Sequence, residues 1–497
     1  MAGLRPLRRL TPAAMVRALL RPPTMPGLRY ISTRQGSRDP VERLTFEEVV
    51  LAGLARDGGL YVPESWPILS PAEIAALRGL PYADLAARIM APFVGDTFDA
   101  ATFVRLVREA YAPFDDAGVV RLKALPVGDL HLLELFHGPT LAFKDVALQF
   151  LGRVLDALLT RSGRRARIVG ATSGDTGSAA IEAVRDRASI DIFMLHPKGR
   201  VSEVQRRQMT TVLAPNVHNV AIEGTFDDCQ DLAKACFNDL AFRDRHRLTA
   251  VNSINFARVM AQIVYYFHAA LQLGAPERPV SFCVPTGNFG NIYAGYAARA
   301  MGLPIERLLI ASNSNDILTR FIESGEQRIT DVAATFSPSM DIQISSNFER
   351  FLFDLFDRDG KALAAAMEGF RATGAMAVTA AQLARARATF DAGRLDDAGT
   401  LRAIADAERE TGELLDPHTA VGYAVARQKR GDRAVPMVVL ATAHPAKFPE
   451  AVRLATGEAP PMPARLADLA SRPERFETLP NDIGALKRLM DDATVFA

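Results

Sequence analysis

The sequence predicts an α/β protein, with parallel sheets covered by helices on both faces and a small α+β domain in front. Three observations carry this expectation. From about residue 120 to 445, short β-rich runs alternate with amphipathic helical stretches. Glycine-rich loops stand where a strand hands over to a helix, at residues 171–178 and 285–291, and ligands of such sheets bind at the carboxyl ends of strands. The 497 residues also exceed what one small core organises, so more than one domain is required.

Taken in order, residues 1–38 hold eight arginines, from Arg5 to Arg38, and no acidic residue precedes Asp39. An arginine-rich, acid-free start resembles an organelle transit peptide. Pro6, Pro12, Pro22 and Pro23 break any amphipathic helix, and Met25 suits a start codon assigned too far upstream equally well. Residues 1–25 are therefore set apart as an N-terminal extension. The protein is expected in a bacterial cytoplasm, or in an organelle if that extension is a transit peptide.

Residues 26–116 form the expected N-terminal domain. It comprises a β-like segment at Leu28–Thr33, a helix at Thr45–Leu54 and a turn at Asp57–Gly59 into a short strand. Helices follow at Pro71–Leu77, Tyr82–Ala91 and Ala101–Ala110, with a boundary at Pro113 and Asp115–Gly118. Residues 117–460 form the catalytic domain. Its strands are expected at His131–Phe136, Arg167–Thr172, Asp191–Leu195, Val217–Ile222, Pro279–Val284, Arg307–Ala311 and Val435–Ala441. Helices are expected at 146–160, 178–187, 201–213, 227–240, 257–272 and 292–301. Residues 348–428 are Ala/Arg-rich and mostly helical, a structural subdomain with no chemistry assigned. Residues 461–497 are a tail ending in a helix, Pro480–Asp491.

Composition excludes several classes of function. Basic and acidic residues number 58 and 57, which leaves no electrostatic footprint for nucleic acid or an anionic membrane. No apolar run reaches membrane-spanning length. Cys229, Cys236 and Cys283 are too few and too scattered for a disulfide framework, and no His/Cys cluster has metal-ligand spacing.

Chemistry concentrates in five stretches. In His137–Asp145, Lys144 follows a Gly-Pro turn and opens an apolar helical run. Desolvation and the positive end of a helix both disfavour its ammonium, and a lysine so placed can form a Schiff base with a carbonyl. A surface lysine at a helix start is the plainer alternative. The loop Ala171–Ser178 carries Thr172, Ser173, Asp175 and Thr176 around two glycines. Its backbone N–H groups suit an anion, but the Lys-Ser/Thr of a nucleotide P-loop is missing. The loop Pro285–Asn291 is the stronger phosphate cradle: Gly287 and Gly290 allow close approach, and Asn288 and Asn291 supply amides. Asn252, Ser253 and Arg258 open another helix and suit a second phosphate, with Arg258 as the charged donor. Thr442 ends a buried strand, and His444 is expected to be a satisfied turn histidine. An aldehyde-reactive lysine, two phosphate cradles and no metal site point to pyridoxal phosphate.

Five motifs in order carry a resemblance: His137–Asp145, Thr172–Gly177, Gly287–Asn291, Ser345–Arg350 and Thr442–Lys447. Together they resemble the threonine synthases, in the longer subclass of enteric bacteria and fungi. The resemblance implies the tryptophan-synthase-β-like fold, fold type II of pyridoxal-phosphate enzymes. It implies Lys144 as the Schiff-base lysine, Gly287, Asn288, Phe289, Gly290 and Asn291 around the cofactor phosphate, and Thr442 at the pyridine nitrogen. Asp175, where many relatives have Asn, would lie near the cofactor's 3′-oxygen. Thr172, Ser173 and Thr176 would face the substrate carboxylate, and Asn252, Ser253 and Arg258 the substrate phosphate. The implied reaction takes O-phospho-L-homoserine and water to L-threonine and phosphate in a monomer or homodimer. The alternative is another lyase on the same scaffold, a phospho-lyase acting on O-phosphothreonine or a threonine/serine dehydratase. A dehydratase has no use for Arg258.

Overall fold

A computed structural model describes residues 27–36, 42–127, 129–251 and 253–493. The N-terminal extension inferred for residues 1–25 lies outside them.

The N-terminal part begins with the strand Tyr30–Ser32, paired antiparallel to Tyr61–Pro63 with Ile31 opposite Val62. Thr45 and Glu48 form a capping box on the helix Phe46–Ala52, and Ser70 and Glu73 do the same for Pro71–Ala75. Helices Tyr82–Val94 and Ala100–Tyr111 complete it. The Tyr30 hydroxyl donates to Phe93 O at 2.8 Å, and its ring meets Phe256 edge-on at 5.2 Å. One hydrophobic core thus runs from this part into the catalytic one.

Two large sheets and a two-stranded one lie in the remainder. The larger has six strands in the order Phe390–Arg394, Ile305–Ser312, Val280–Pro285, Met437–Ala441, Leu130–Glu134, Arg121–Ala124. All neighbours are parallel except the last pair. The second has five parallel strands in the order Glu477–Pro480, Val217–Glu223, Ile190–Pro197, Ala166–Ala171, Leu248–Thr249. Met437–Ala441 and Val280–Pro285 are buried at every residue, as continuous apolar runs in a parallel sheet must be.

Helix boundaries differ from the sequence expectation where it matters most. Three helices start two or three residues early, at Lys144, Asp175 and Gly290. None of the three has a side-chain cap. In the Gly290 helix the first turn keeps unsatisfied N–H groups, the arrangement that attracts an anion, whereas Asp145 N and Val146 N bond Ala142 O and Phe143 O, and Gly177 N bonds Thr172 Oγ1. Residues 348–428 are also not purely helical. Phe390–Arg394 forms the outer edge of the six-stranded sheet, and Ala375–Ala377 pairs with Glu326–Arg328. Near the C-terminus, Glu477–Pro480 closes the five-stranded sheet and the helix Ile483–Asp492 packs over it.

Candidate active site

The turn before Lys144 is held by Asp145, whose carboxylate accepts from Thr140 N at 2.7 Å and from Thr140 Oγ1 at 2.8 Å. Gly138 is required beside it, because a Cβ there would lie 2.5 Å from Asp145 Cβ. Phe143 N donates to Thr442 O at 2.8 Å, which ties the turn to the carboxyl end of Met437–Ala441. Lys144 is thereby presented as the first helical residue, buried, with Nζ 3.1 Å from Asp175 Oδ2 and 3.2 Å from Ser339 Oγ. Burial lowers its pKa, against the pull of Asp175 and with the help of Lys447 and Arg258. Burial works against the Asp175 carboxylate in turn, but Lys144 and Lys447 outweigh it and hold the group well below the usual range.

The loop Pro285–Asn291 is built with its carbonyls turned away from the cavity. Gly287 O accepts from Ser345 Oγ at 2.7 Å, and Asn288 O accepts from Asn347 N at 3.1 Å and Nδ2 at 2.9 Å. Thr286 N is bonded to Ala311 O, and the next bonded N–H along the chain is that of Tyr293, to Phe289 O at 2.9 Å. The N–H groups between them are left for a ligand. Phe289 holds the turn in the left-handed region at φ 61°, with its ring buried against Phe348 and Phe390. Asn291 Oδ1 accepts from Tyr265 and Tyr266, while its Nδ2 is buried with no partner.

The strut behind this loop is Ser345–Arg350. Fully buried Arg350 donates from Nε to Tyr61 O at 3.0 Å, and its two terminal nitrogens donate to Asn347 Oδ1 and Ile254 O. Glu349 accepts from Arg34 Nη2 at 2.6 Å and Thr33 Oγ1 at 2.7 Å. The N-terminal part thus braces both candidate anion sites.

Arg258 sits in the first turn of the helix Phe256–Gln272, which Asn255 caps through Ala257 N at 3.1 Å. It is 4% exposed, yet the one hydrogen bond its guanidinium makes among the described residues is a long one, Nη1 to Val251 O at 3.4 Å. Its Nε has no partner, and no carboxylate pairs with it among the described residues. Burial lowers its pKa to about 10, so it remains a cation at neutral pH.

Lys144, Asp175, Thr176, Ser253, Arg258, the 287–291 loop and Thr442 line one cavity. Asn252 lies outside the described residues. Thr172 shapes the neighbouring turn instead, its Oγ1 accepting from Gly174 N at 3.0 Å and Gly177 N at 2.8 Å and so closing residues 172–177. Ser173 is half-buried and not part of the cavity wall. His444 is a turn residue whose Nδ1 accepts from Ala446 N at 3.1 Å. Sequence reasoning missed Ser339, Gln262 and His418 on the wall and Gln205 and Lys447 behind it. His418 lies within residues 348–428, where no chemistry was expected. Its Nε2 accepts from Ser339 N at 3.2 Å and its Nδ1 bonds Asp416 Oδ1 at 2.8 Å. Only Lys447 had a signal, as the last residue of the Thr442–Lys447 motif.

The donor set suits two anions and one carbonyl carbon. The open N–H groups before Tyr293 and the unpaired Asn291 amide fit a phosphate, Lys144 an aldehyde, and the unpaired Arg258 guanidinium a second anion. Pyridoxal phosphate meets the first two demands at once. Fold and cavity together define a pyridoxal-phosphate-dependent lyase of fold type II.

Comparison with known proteins narrows the class. Family models match residues 29–111 (Threonine synthase N terminus), 119–389 (Pyridoxal-phosphate dependent enzyme) and 419–490 (Threonine synthase, C-terminal). The threonine synthase of Pseudomonas aeruginosa is 55% identical over 461 residues, covering 93% of this chain and 97% of that protein. The crystal structure of PLP-bound threonine synthase from Brucella melitensis superposes with a TM-score of 0.91 at 52% identity, over 94% of this chain and 99% of that one. The yeast threonine synthase structure gives 0.88 at 39% identity, over 94% and 99%. The chain belongs to the threonine synthase family; it is a pyridoxal-phosphate enzyme with threonine synthase activity.

Proposed function

We propose that the cavity converts O-phospho-L-homoserine and water to L-threonine and phosphate, with Lys144 as its reactive lysine and Arg258 as the holder of the substrate phosphate. The unpaired, buried guanidinium of Arg258 is the observation that carries this reading. A buried cation without a counter-ion costs several kcal/mol, roughly 3–5, unless an anion joins it. The anion must enter through the cavity, where Ser253 stands beside Arg258.

Pyridoxal phosphate, when bound, supplies a carbonyl for exchange with an amine and an electron-withdrawing ring. The open loop Gly287, Asn288, Phe289, Gly290 and Asn291 would hold its phosphate. Thr442, at the carboxyl end of its strand, would meet the ring nitrogen with a hydroxyl, which does not protonate that atom as a carboxylic acid would. Asp175 orients Lys144 from the opposite wall of the cavity. Thr176 offers a hydroxyl to the substrate carboxylate, on a turn whose shape Thr172 fixes and which Ser173 continues. Lys144, buried and biased toward the free amine, moves protons at the substrate Cα and Cβ. Arg258 keeps the departing phosphate in place.

Incubation of the purified protein with O-phosphohomoserine should release threonine and phosphate in equal amounts. O-phosphothreonine or serine consumed in preference would assign the site to a different lyase.

A further inference from the structure

We propose that Lys447 is a positioning residue for the reaction: placed behind Asp175, it keeps that carboxylate paired whether or not Lys144 carries a proton, and so frees Lys144 to work as an amine. The inference rests on the reading of Lys144 as the reactive lysine.

Asp175 is shared between two lysines on opposite sides. Its Oδ2 faces the cavity, 3.1 Å from Lys144 Nζ. Its Oδ1 faces away, 2.7 Å from Lys447 Nζ and 2.8 Å from Gln205 Nε2. Lys447 is fully buried, donates to Thr140 O at 2.8 Å, and forms no part of the cavity wall. A ligand in the cavity meets Lys144 and Asp175 but not Lys447. Whatever Lys447 does for the chemistry, it does through Asp175.

The electrostatic consequence follows from counting charges. In an isolated buried Lys–Asp pair, loss of the lysine proton strands a carboxylate in an apolar interior. The pair then holds its proton, and the amine is unavailable. With Lys447 on the far oxygen, Asp175 keeps a counter-charge after Lys144 is neutral. The Lys447 ammonium also repels the Lys144 ammonium, so both effects favour the free amine. Other charged or titratable groups nearby are Arg258 across the cavity, His418 beyond Ser339, and Asp145 behind Thr140, whose carboxyl burial pushes up to about 6. Arg258 acts on Lys144 in the same sense as Lys447 but has no bond to Asp175.

The test compares full-length wild type with Lys447→Gln, Lys447→Met and Lys447→Arg. Borohydride reduction of each cofactor-loaded chain, followed by peptide mapping, first identifies the lysine that carries the cofactor. The chains are then stripped of cofactor, and the rate at which cyanate carbamylates Lys144 is followed by peptide mass across about pH 6 to 10. Cyanate reacts only with the free amine. Loss of the charge in Lys447→Gln should move the midpoint for Lys144 upward by about one pH unit, a tenfold slower reaction near neutrality, with rates converging at high pH. Lys447→Arg, which keeps the charge, should stay near wild type. Lys447→Gln retains polar contacts to Thr140 and Asp175, so it decides the matter if Lys447→Met does not fold. A wild-type midpoint in folded Lys447→Gln overturns this role while leaving Lys144 as the reactive lysine. A cofactor label on a different lysine overturns that prior reading instead, and this one with it.

Discussion

At the scale of single residues, the role proposed for Arg258 separates the two anions of the site. It is buried, nearly without hydrogen bonds, and distant in sequence from the loop that suits the cofactor phosphate. Arg258→Ala should therefore leave cofactor content and the visible absorption band intact. Turnover of O-phosphohomoserine should fall by about one to two powers of ten, the value of a charged hydrogen bond of roughly 1.5–3 kcal/mol. Absorbance and steady-state rate on one preparation make the comparison. Loss of cofactor with normal turnover by the remainder would assign Arg258 to the cofactor instead. Lys144 itself was legible in the sequence because its cause is local: a Gly-Pro turn leads straight into an apolar helix. Its partner Asp175 stands in another βα unit, and the pairing of Lys447 with Asp175 joins segments with no local relation. A chain read along its length does not reveal such a contact.

At the scale of elements, the loop Pro285–Asn291 depends on contacts that point away from its ligand. A Cβ on Gly287 would lie 2.5 Å from Ser339 O and 3.1 Å from Met340 Cα, both backbone atoms that cannot swing aside. Gly287→Ala should weaken cofactor binding at least ~10-fold, a shift of about 1.4 kcal/mol, with far-ultraviolet circular dichroism unchanged. Unaltered cofactor affinity would show that the loop is more pliant than its packing suggests. Seven expected strands appear within two residues of their expected ends because continuous apolar runs have few alternatives in a parallel sheet. All four edge strands of the two large sheets escaped, and two of them show why. Phe390–Arg394 contains Asp391, Gly393 and Arg394, a composition that reads as a link between helices. Glu477–Pro480 has no buried residue and is fixed by backbone pairing with Val217–Glu223. Early helix starts at Asp175 and Gly290 were illegible for a related reason: with no Ser, Thr, Asp or Asn cap before them, nothing local announces the first turn.

At the scale of the whole molecule, Arg350 joins three separate regions: Tyr61 in the N-terminal part, Ile254 before the Arg258 helix, and Asn347 beneath the loop Pro285–Asn291. Arg350→Met keeps the volume but strands these acceptors. It should cost about 3–5 kcal/mol of stability, at roughly 1–3 kcal/mol for each stranded acceptor, read as a lowered thermal midpoint, and cofactor affinity should fall with it. A midpoint within a degree or so of wild type would show that Arg350 is no brace. The C-terminal segment makes an equivalent contribution to the other sheet. Leu486 and Met490 are fully buried against Val169 and Phe193, and Arg167 donates to Met490 O and, at 2.7 Å, to Ala493 O. Ending the chain after Arg475 should cost at least ~5 kcal/mol for the two side chains alone and yield little soluble protein. Normal yield and activity from that truncation would contradict it.

The sheet order bears on how such a protein is made. Met437–Ala441 is inserted between Val280–Pro285 and Leu130–Glu134, and Glu477–Pro480 completes the other sheet. While a ribosome is still elongating the chain, the strand that precedes Lys144 lacks its central neighbour, and a gap stands where Thr442 belongs. Synthesis past Thr442 fills both. Until then the nascent chain carries unpaired apolar strands, the kind of surface that chaperones shield. Capacity to capture cofactor should accordingly arise only once residues 437–442 have been made, in one step rather than domain by domain.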